Sequence, residues 1–300
     1  MRNPRSRQIA ASAMLSCMRI EFVKMQGLGN DFLVFDAAAD DARLDASALR
    51  ALADRHTGIG FDQALILESA RDAKSRVFYR IFNADGSEVE QCGNGARCIA
   101  ALLYARAPQL GRDLVMGSVG GTVYARVRDD GMVSVDMGVP NFDPRSLPME
   151  ADVGDGAAPA EAPTYSLRID GADMEIGAVS MGNPHAVLRV PDVKTAPLER
   201  IGPSIEHHAR FPRRTNVGFM EIVDRGHIRL RVFERGVGET LACGTGACAA
   251  VAVGRRHGLL DEDVRVELKG GTAMVSWPAQ TGHLWLTGPA TTVFSGSVDI

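Results

Sequence analysis

Two cysteines stand at matching places in two similar segments of this 300-residue chain. Cys92 lies in EVEQCGNGARC (88–98) and Cys243 in ETLACGTGACA (239–249), each directly before a Gly-x-Gly turn and an apolar run. If each run is a helix, its first free N–H groups follow the cysteine and form a ready site for a carboxylate. These amides belong to Gly93, Asn94, Gly244 and Thr245. We expect the same helix ends to favour thiolate and to lower the cysteine pKa values.

Paired thiols beside a carboxylate site suit a two-base racemase or epimerase. One thiolate can remove the α-proton of a bound amino acid, and the opposite thiol can return a proton to the other face. The helix dipoles would stabilise the carbanionic carboxylate that forms between these steps. The chemistry requires no cofactor and depends on Cys92 and Cys243 facing each other across the substrate. The remaining cysteines inside the runs, Cys98 and Cys248, do not align with each other and are interpreted as structural.

The two cysteine segments belong to a longer internal repeat. Shifted by 151 positions, residues 79–98 match residues 230–249 without a gap, sharing Arg, Phe, Glu, Cys, two Gly and Ala. An offset of 153 places GNDFLV (29–34) on GNPHAV (182–187), in the same order along the chain. One period of this length indicates a duplicated domain, because solenoid repeats are much shorter. We therefore predict two similar halves related by a pseudo-twofold, with a linker between residues 137 and 163.

Each half has the pattern of an α+β fold. Short β-rich runs bounded by Gly, Asp or Asn predict about seven strands in each half, and one amphipathic helix is predicted over Ala46–His56, ending before Gly58. The runs after the cysteines, 96–105 and 246–254, carry one charge and none. A helix that is apolar on nearly every side must be buried on nearly every side. We therefore predict a barrel-like mixed sheet around a central buried helix in each half.

Composition excludes several classes of function. A formal net charge of −4 makes nucleic acid an unsuitable partner. The uncharged stretch 270–298 is interrupted by Pro278 and Pro289, so we expect strands and turns there and no membrane span. Five cysteines without a C-x-x-C pair are typical of reduced thiols in a cytoplasmic protein. Their spacing does not predict a structural zinc site, and we expect no metal.

The ends of the two halves are also predicted from the sequence. Residues 1–17 are interpreted as an extension that is disordered or precedes the physiological start at Met18, although a lipoprotein-like signal ending at Cys17 is conceivable. The first half is expected to comprise residues 18–138 together with about 288–300. The second half is expected to comprise residues 139–287.

Six motifs resemble the diaminopimelate epimerase family. They are MQGLGNDF (25–32), RHTGIGFDQ (55–63), RIFNADGSEVEQCGNGARC (80–98), SMGNPH (180–185), RTNVGFM (214–220) and FERGVGETLACGTGACAA (233–250). The resemblance runs from Met18 to the C-terminus, apart from parts of 141–175. It implies interconversion of LL- and meso-diaminopimelate in lysine and peptidoglycan-precursor biosynthesis, without pyridoxal phosphate or metal. It also implies a homodimer and a last strand that returns to the first half.

Carried over by motif, Cys92 and Cys243 are the acid/base pair. The substrate contacts implied by the resemblance are Asn30, Gln63, Asn83, Gly93, Asn94, Asn183, Asn216, Glu234, Arg235, Gly244 and Thr245. Arg235 offers a fork for the distal carboxylate, and the Asn carbonyls and Glu234 offer acceptors for its ammonium. His185 and Glu234 match residues that support activity near the thiols.

Three alternatives remain open from the sequence alone. The proline racemase and hydroxyproline epimerase group also uses paired cysteines, but we would expect His at position 94 and no requirement for Arg235. Relatives with this fold and no catalytic thiols perform other isomerisations, and both cysteines here argue against them. A non-catalytic amino-acid binding protein, or a redox switch formed by a Cys92–Cys243 disulfide, belongs to a different class. A binding module has no reason to place a thiol on each face of an α-carbon.

Overall fold

The computed structural model describes residues 19–37, 44–150, 164–279 and 282–300. The extension predicted at residues 1–17 lies outside the described residues. The helices are α1 (Ala46–Ala53), α2 (Gly93–Arg106), α3 (Leu198–Glu206) and α4 (Gly244–Arg256). The strands of the first part are β1 (Arg19–Gly27), β2 (Asn30–Asp36), β3 (Gln63–Glu68), β4 (Phe78–Asn83), β5 (Glu88–Val89), β6 (Asp113–Ser118), β7 (Gly121–Val127) and β8 (Val133–Asp136). The remaining strands are β9 (Thr164–Ile169), β10 (Ala172–Ser180), β11 (Pro184–Arg189), β12 (Asn216–Asp224), β13 (His227–Glu234), β14 (Gly238–Thr240), β15 (Asp263–Leu268), β16 (Gly271–Ser276), β17 (Trp285–Gly288) and β18 (Thr291–Asp299).

The strand pairing repeats itself in the two halves. The first half is ordered β18-β1-β2-β3-β4-β6-β7-β8, with β2·β3 and β4·β6 parallel and the other pairs antiparallel. The second half is ordered β9-β10-β11-β12-β13-β15-β16-β17, with its two parallel pairs at the same places. The duplicated α+β architecture predicted from the sequence is therefore confirmed. The edge strand of the first half is β18, which pairs with β1 as the resemblance implies.

The halves are joined through β8 and β17, which occupy equivalent places in the two sheets. They pair antiparallel, with Val133 opposite Gly288 and Asp136 opposite Trp285. An antiparallel pair of equivalent strands has the symmetry of a twofold axis that passes between them. Ser134 Oγ and Thr287 Oγ1 form a buried hydrogen bond of 2.7 Å across this pair. The pseudo-twofold predicted from the repeat thus runs through a continuous sheet.

The helices that follow the two cysteines form the centres of the two halves. The first, α2, packs inside the sheet with Phe32, Leu65 and Ile81 among its apolar neighbours, and α4 lies in an equivalent apolar cluster of the second half. Burial on most sides agrees with the apolar composition of both runs. Strand curvature around each helix brings the starts of both helices toward the β8·β17 pair, where Leu286 lies beside Gly93 and Gly244.

The two outer helices cross over between parallel strands, α1 from β2 to β3 and α3 from β11 to β12. Each packs on the outer face of its sheet. Helix α1 ends at Ala53, three residues before the predicted end, because Asp54 accepts hydrogen bonds from the N–H groups of His56 and Thr57. Helix α3, which contains Pro203, was not predicted.

The predicted linker is described as far as residue 150. That part packs on the second half: Asn141 pairs with Ser180, and Leu147 and Met149 are buried against Tyr165. Residues 151–163, which include the Ala- and acid-rich part of the prediction, lie outside the described residues.

Candidate active site

Each cysteine caps the N-terminus of its central helix. Cys92 has extended backbone angles, and its Sγ accepts a hydrogen bond from the N–H of Gly95 at 3.4 Å. Cys243 has similar angles, and its Sγ lies 3.5 Å from Thr245 Oγ1. Serine, threonine, aspartate and asparagine are the usual residues at this position. A cysteine there presents sulfur, rather than oxygen, to the free amides of the first turn.

The two helix starts meet at the junction of the halves. Asn94 Nδ2 donates to the carbonyl of Ala242, the residue before Cys243, at 3.2 Å, and to Asn30 Oδ1 at 3.3 Å. A Cβ built on Gly244 would lie 3.9 Å from Cα of Gly93 and 2.9 Å from Leu286 Cδ2. Glycine at the first helical position therefore permits this close approach, because any side chain there would collide with Leu286. The amides expected to hold a carboxylate thus come from both halves.

Burial dominates the acidity of both thiols. It raises the pKa of Cys92 to about 11, although the Gly95 and Asn94 amides and the Arg97 charge act in the opposite direction. The pKa of Cys243 is raised well above its ordinary value, again mainly by burial and then by the Glu234 charge. The prediction of lowered thiol pKa values is therefore wrong. The helix amides do favour thiolate, but removal of the sulfur from water outweighs them.

Glu234 lies within electrostatic reach of both sulfurs. Its charge raises the pKa of Cys243 and the pKa of Cys92. Its own pKa is raised, chiefly by burial. Thr240 Oγ1 donates to Glu234 Oε1 at 2.5 Å and fixes the carboxylate at the end of β13. A single carboxylate thus couples the ionisation of the two predicted acid/base residues.

The first half contributes a row of amide side chains from strand ends. Asn30 opens β2, donates to Asp62 Oδ2 at 2.9 Å, and has its Oδ1 3.8 Å from Cys92 Sγ. Gln63 opens β3 and donates to Asn83 Oδ1, at the end of β4, at 3.0 Å. Gln63 Oε1 is buried without a hydrogen-bond partner. An unpartnered buried acceptor is available to a ligand donor such as an ammonium group.

The second half repeats this arrangement around Cys243. Asn183 Nδ2 donates weakly to Thr245 Oγ1 at 3.5 Å, whereas in the first half Asn94, at the place of Thr245, donates to Asn30, at the place of Asn183. His185 is 1% exposed, and its Nε2 lies 3.0 Å from Asn183 Oδ1. Burial, assisted by the Arg235 charge, lowers the pKa of His185 to about 3, so the ring is neutral at pH 7. A neutral imidazole here orients Asn183 and offers its unpartnered Nδ1 as an acceptor.

Asn216 and Arg235 form the far end of this group. Asn216 lies beside His185 in the β11·β12 register, and its Oδ1 accepts the backbone N–H of Arg235 at 3.0 Å. The Arg235 guanidinium donates to the carbonyl of Arg213 at 3.3 Å. The next residue, Gly236, donates its N–H to the buried Glu206 of α3 at 2.7 Å. The turn that carries Arg235 is thus held from two sides.

The predicted site residues occur as pairs related by the repeat. At the 151–153 offsets, Asn30 corresponds to Asn183, Gln63 to Asn216, and Asn94 to Thr245. The pairs Phe32 with His185, Asn83 with Glu234, and Ala84 with Arg235 differ in charge or polarity. The group around the two helix starts is therefore nearly symmetric, whereas the ionisable side chains of the three unlike pairs, His185, Glu234 and Arg235, belong to the second half. Such a site can transfer protons at both faces of the reacting carbon, while residues of the second half bind the rest of the ligand.

Several residues of this group were not predicted from the sequence. Asp62 and Thr240 hold predicted side chains, and Arg97 donates to Asn94 Oδ1 at 2.9 Å. Asp62, Thr240 and Arg97 all lie within the motifs quoted above, and their place in a motif is the only feature of the sequence that could have indicated them. Within the described ranges, no group of three or more His, Cys, Asp or Glu side chains is placed to hold a metal ion. The helices of the same ranges are too short or too polar to cross a membrane.

Comparisons with known proteins agree on one family. The profile of the family described as diaminopimelate epimerase matches residues 22–142 and 177–293. The chain is 53% identical to a diaminopimelate epimerase of Thioalkalivibrio sulfidiphilus over 285 residues, which is 94% of this chain and 100% of that protein. It is 50% identical to a diaminopimelate epimerase of Nitrosomonas europaea over 284 residues, with the same coverage.

Solved structures share the fold at low sequence identity. A hydroxyproline epimerase from Agrobacterium vitis matches with a TM-score of 0.67 at 14% identity, covering 94% of this chain and 93% of that one. A predicted epimerase of Pseudomonas aeruginosa matches with a TM-score of 0.64 at 18% identity, covering 93% and 99%. These similarities establish the architecture of two halves around two helices.

Proposed function

The chain belongs to the diaminopimelate epimerase family, and from that premise we propose that it interconverts LL- and meso-2,6-diaminopimelate by moving protons at two cysteine thiols. The observation that carries the proposal is the meeting of two helix starts, each capped by a cysteine, with Glu234 in reach of both sulfurs. Relatives about 50% identical over 94% of this chain carry the same activity in their names.

The proposed reaction places the substrate α-carbon between Cys92 and Cys243. Its carboxylate accepts hydrogen bonds from the amides of Gly93, Asn94, Gly244 and Thr245, at the positive ends of both helices. One thiolate takes the α-hydrogen as a proton, and the C–H electron pair is delocalised into the carboxylate. The other thiol gives its proton to the opposite face and becomes the thiolate. The configuration inverts, and the protein has exchanged the protonation states of its two sulfurs.

Burial of the thiols is suited to this task. A thiol whose pKa is raised gives a more basic thiolate, and a more basic thiolate removes the weakly acidic α-proton more readily. With the substrate bound between the sulfurs, the proton that returns to carbon comes from the opposing thiol rather than from bulk water. Two thiols complete the proton transfers, and the amides stabilise the carbanion, so we propose no cofactor and no metal.

The charged residues of the second half suit the distal end of diaminopimelate. Arg235 can pair with the distal carboxylate, for which a guanidinium offers two parallel donors. The distal ammonium needs acceptors, which Asn30, Gln63, Asn83, Asn183, Asn216 and Glu234 can supply. In this proposal His185 and Glu234 support catalysis by orienting groups beside the thiols. Proline and its derivatives lack such a distal end and would leave Arg235 unpaired.

The partner and location of the protein are also proposals. We propose that it works in the cytoplasm, because the four cysteines of the described residues are free thiols and reduced thiols persist in that compartment. We propose a homodimer and no nucleic-acid partner. Sedimentation equilibrium of the purified protein would measure the oligomeric state directly.

The test is solvent deuterium incorporation at the α-carbon of LL-diaminopimelate. Protein dialysed against chelator and free of pyridoxal phosphate should incorporate deuterium and form the meso isomer. Cys92→Ala and Cys243→Ala should each reduce epimerisation by about 100-fold or more. Cys98→Ala, a buried thiol in the body of α2, is the matched control and should keep its activity. Full activity in either active-site variant would refute the two-base assignment, and binding without exchange would indicate a receptor.

A further inference from the structure

Arg97 is a fully buried cation that the proposed mechanism does not use. It lies on α2, one turn after Gly93, and is 0% exposed. Among the described residues, no carboxylate forms an ion pair with it. Its Nη2 donates to Asn94 Oδ1 at 2.9 Å and its Nε to the carbonyl of Pro289 at 3.4 Å, while Nη1 is buried without a partner. A buried guanidinium without a counter-ion is costly to the folded state.

The fold makes room for this side chain at two backbone positions. A Cβ on Gly288 would lie 3.1 Å from the Arg97 Cζ, and a Cβ on Gly27 would lie 3.3 Å from its Nη2. Neither glycine has a positive φ, so the close approach of the guanidinium, rather than backbone conformation, disfavours a side chain at these positions. The end of β1 in the first half and the end of β17 in the second half are therefore shaped around Arg97.

The repeat supplies an internal comparison. At the offset of 151 the residue equivalent to Arg97 is Cys248, a small buried residue of α4. The central helix of a half can thus be enclosed by its sheet without a cation at this position. The arginine therefore serves something other than the packing of the helix. A buried residue that lowers the stability of the fold, and for which neighbouring residues leave space, is expected at a functional site.

Arg97 is connected through Asn94 to the surroundings of both cysteines. By donating to Asn94 Oδ1, it determines which end of that amide faces the site. Asn94 Nδ2 then points to the carbonyl before Cys243 and to Asn30 Oδ1, which lies 3.8 Å from Cys92 Sγ. The guanidinium also interacts electrostatically with Cys92 and Cys98 of its own helix and with Cys248 of the opposite helix.

We propose that Arg97 is a positioning residue for the epimerisation, which fixes Asn94 between the two helix starts and supplies a buried positive charge that is compensated when an anionic substrate or thiolate is present. This inference rests on the proposed function. Arg97 acts through Asn94 and through its field, without touching the substrate.

Two substitutions separate these two roles. Arg97→Met removes both the fork and the charge, and Arg97→Lys keeps a charge without the planar fork. We expect Arg97→Met to unfold at the same or a higher temperature than the parent, because an uncompensated buried charge is gone. Its kcat should fall about 100-fold, because Asn94 is no longer held in place. Arg126→Met, an exposed arginine paired with Asp113, is the matched control and should keep parental kcat.

The dependence of kcat/KM on pH measures the effect of the Arg97 charge. Arg97 lowers the pKa of Cys92, so Arg97→Met should shift the acid limb of kcat/KM to higher pH. Arg97→Lys should keep the parental limb and still lose kcat. Cys98 and Cys248 also lie near the guanidinium. The neighbours at β1 and at the end of β17, Gly27, Gly288 and Pro289, have no side chain that titrates. Mapping of alkylated Cys92 therefore identifies which thiol gives the observed pH dependence.

A double-mutant cycle tests whether the effect passes through Asn94. The loss of kcat in Asn94→Ala combined with Arg97→Met should be smaller than the product of the two single losses. If the parent exchanges the α-proton and Arg97→Met has the same kcat and pH profile, the inference is wrong. A lower unfolding temperature in Arg97→Met, or additive losses in the cycle, would also contradict it. If the parent itself shows no exchange, the proposed function fails instead.

Discussion

Glu234 is a carboxylate that acts on both cysteines of the site. Its charge raises the pKa of Cys92 and of Cys243, while its position at the end of β13 is fixed by Thr240. The equivalent residue of the first half, Asn83, is neutral. The thiols therefore face one carboxylate from the second half, and this asymmetry can be tested by neutralising it.

We expect Glu234→Gln to lower the pKa values of both thiols. At the alkaline pH where the thiols titrate, Glu234 is ionised and opposes the formation of a second negative charge nearby. The neutral amide removes that repulsion, so the midpoint of Cys92 alkylation by iodoacetamide should move to lower pH in ligand-free protein. The KM for diaminopimelate should rise, because an acceptor for an ammonium group is weakened.

Glu262→Gln provides the control for this measurement. Glu262 is a surface carboxylate that lies 3.7 Å from Arg255 and has 44% of its side chain exposed. Its neutralisation should leave the alkylation midpoint unchanged. An unchanged or higher midpoint in Glu234→Gln would show that the carboxylate does not couple the two sulfurs.

At this scale the sequence predicted which residues lie near the two helix starts better than it predicted their physical state. The repeat and the motifs brought Cys92, Cys243 and Glu234 together before any coordinates. The direction of the thiol pKa shift was wrong, because the depth of burial depends on the packing of two halves that are distant in sequence. The interactions of Asp62 and Arg97 were missed for the same reason.

Among the elements, the two central helices depend on glycine at their first positions. A Cβ on Gly244 would lie 2.9 Å from Leu286 Cδ2 and 3.6 Å from Asn94 Oδ1. Leu286 lies on β17, beside the axis that relates the halves, and a Cβ on Gly93 would lie 3.3 Å from the same atom. One leucine therefore packs against both helix starts.

We expect Gly244→Ala to lower the free energy of unfolding by about 1–3 kcal/mol, because a methyl group is inserted into a filled space. The epimerisation rate should fall as well, because the start of α4 must move away from α2. Urea denaturation measures the first effect and isomer analysis of the product measures the second. The double variant Gly244→Ala with Leu286→Ala should lose less stability than the sum of the single changes.

Gly226→Ala is the comparison for this series. A Cβ there would have its nearest contact at 3.6 Å, on Asp224 Oδ1, so the change should be within about 0.5 kcal/mol of neutral. The losses of unfolding free energy in Gly244→Ala and Leu286→Ala could instead be additive, or Gly244→Ala could leave the stability unchanged. Either result would mean that the helix start can shift without strain.

The strands and helices could be predicted where a single sequence pattern indicated them. Hydrophobic runs bounded by Gly and Asp gave most strands, and the apolar runs after the cysteines gave α2 and α4. Helix α3 was not predicted, and its sequence contains Pro203, a residue that is unfavourable inside a helix. It starts 152 residues after α1, so the repeat contained this information although the local composition did not.

At the scale of the whole molecule, the chain end completes the first half. Strand β18 pairs with β1 at the place where β9 pairs with β10 in the second half. We propose on this basis that the first half comprises residues 18–138 with about 288–300, and the second half residues 139–287. The repeat alone predicted two halves. The return of the last strand was expected only from the resemblance, because β-pairing over such a separation leaves no local pattern.

We expect a chain that ends at Ala290 to lose the structure of the first half selectively. It would lack the pairing of β18 with β1 and the edge contact of Phe294 with Phe22, whose ring centroids are 5.9 Å apart. Helix α2 also packs against β18. Local opening of this half should make Cys92 react faster with thiol reagents than it does in the full chain, while the reaction rate of Cys243 stays unchanged. Residue-resolved alkylation would measure both sulfurs, and epimerisation should fall by about 10-fold or more because both are needed.

Addition of a synthetic peptide of residues 289–300 should reverse the truncation. A strand can add to an exposed sheet edge through main-chain hydrogen bonds, and the alternate side chains of β18 give the register. Protection of Cys92 and epimerisation should return together as the peptide concentration is raised. A scrambled peptide of the same composition should restore neither, because Phe294 would no longer face Phe22. If the truncated chain keeps its activity and a protected Cys92, the first half holds α2 without β18 and the proposed division of the chain is wrong.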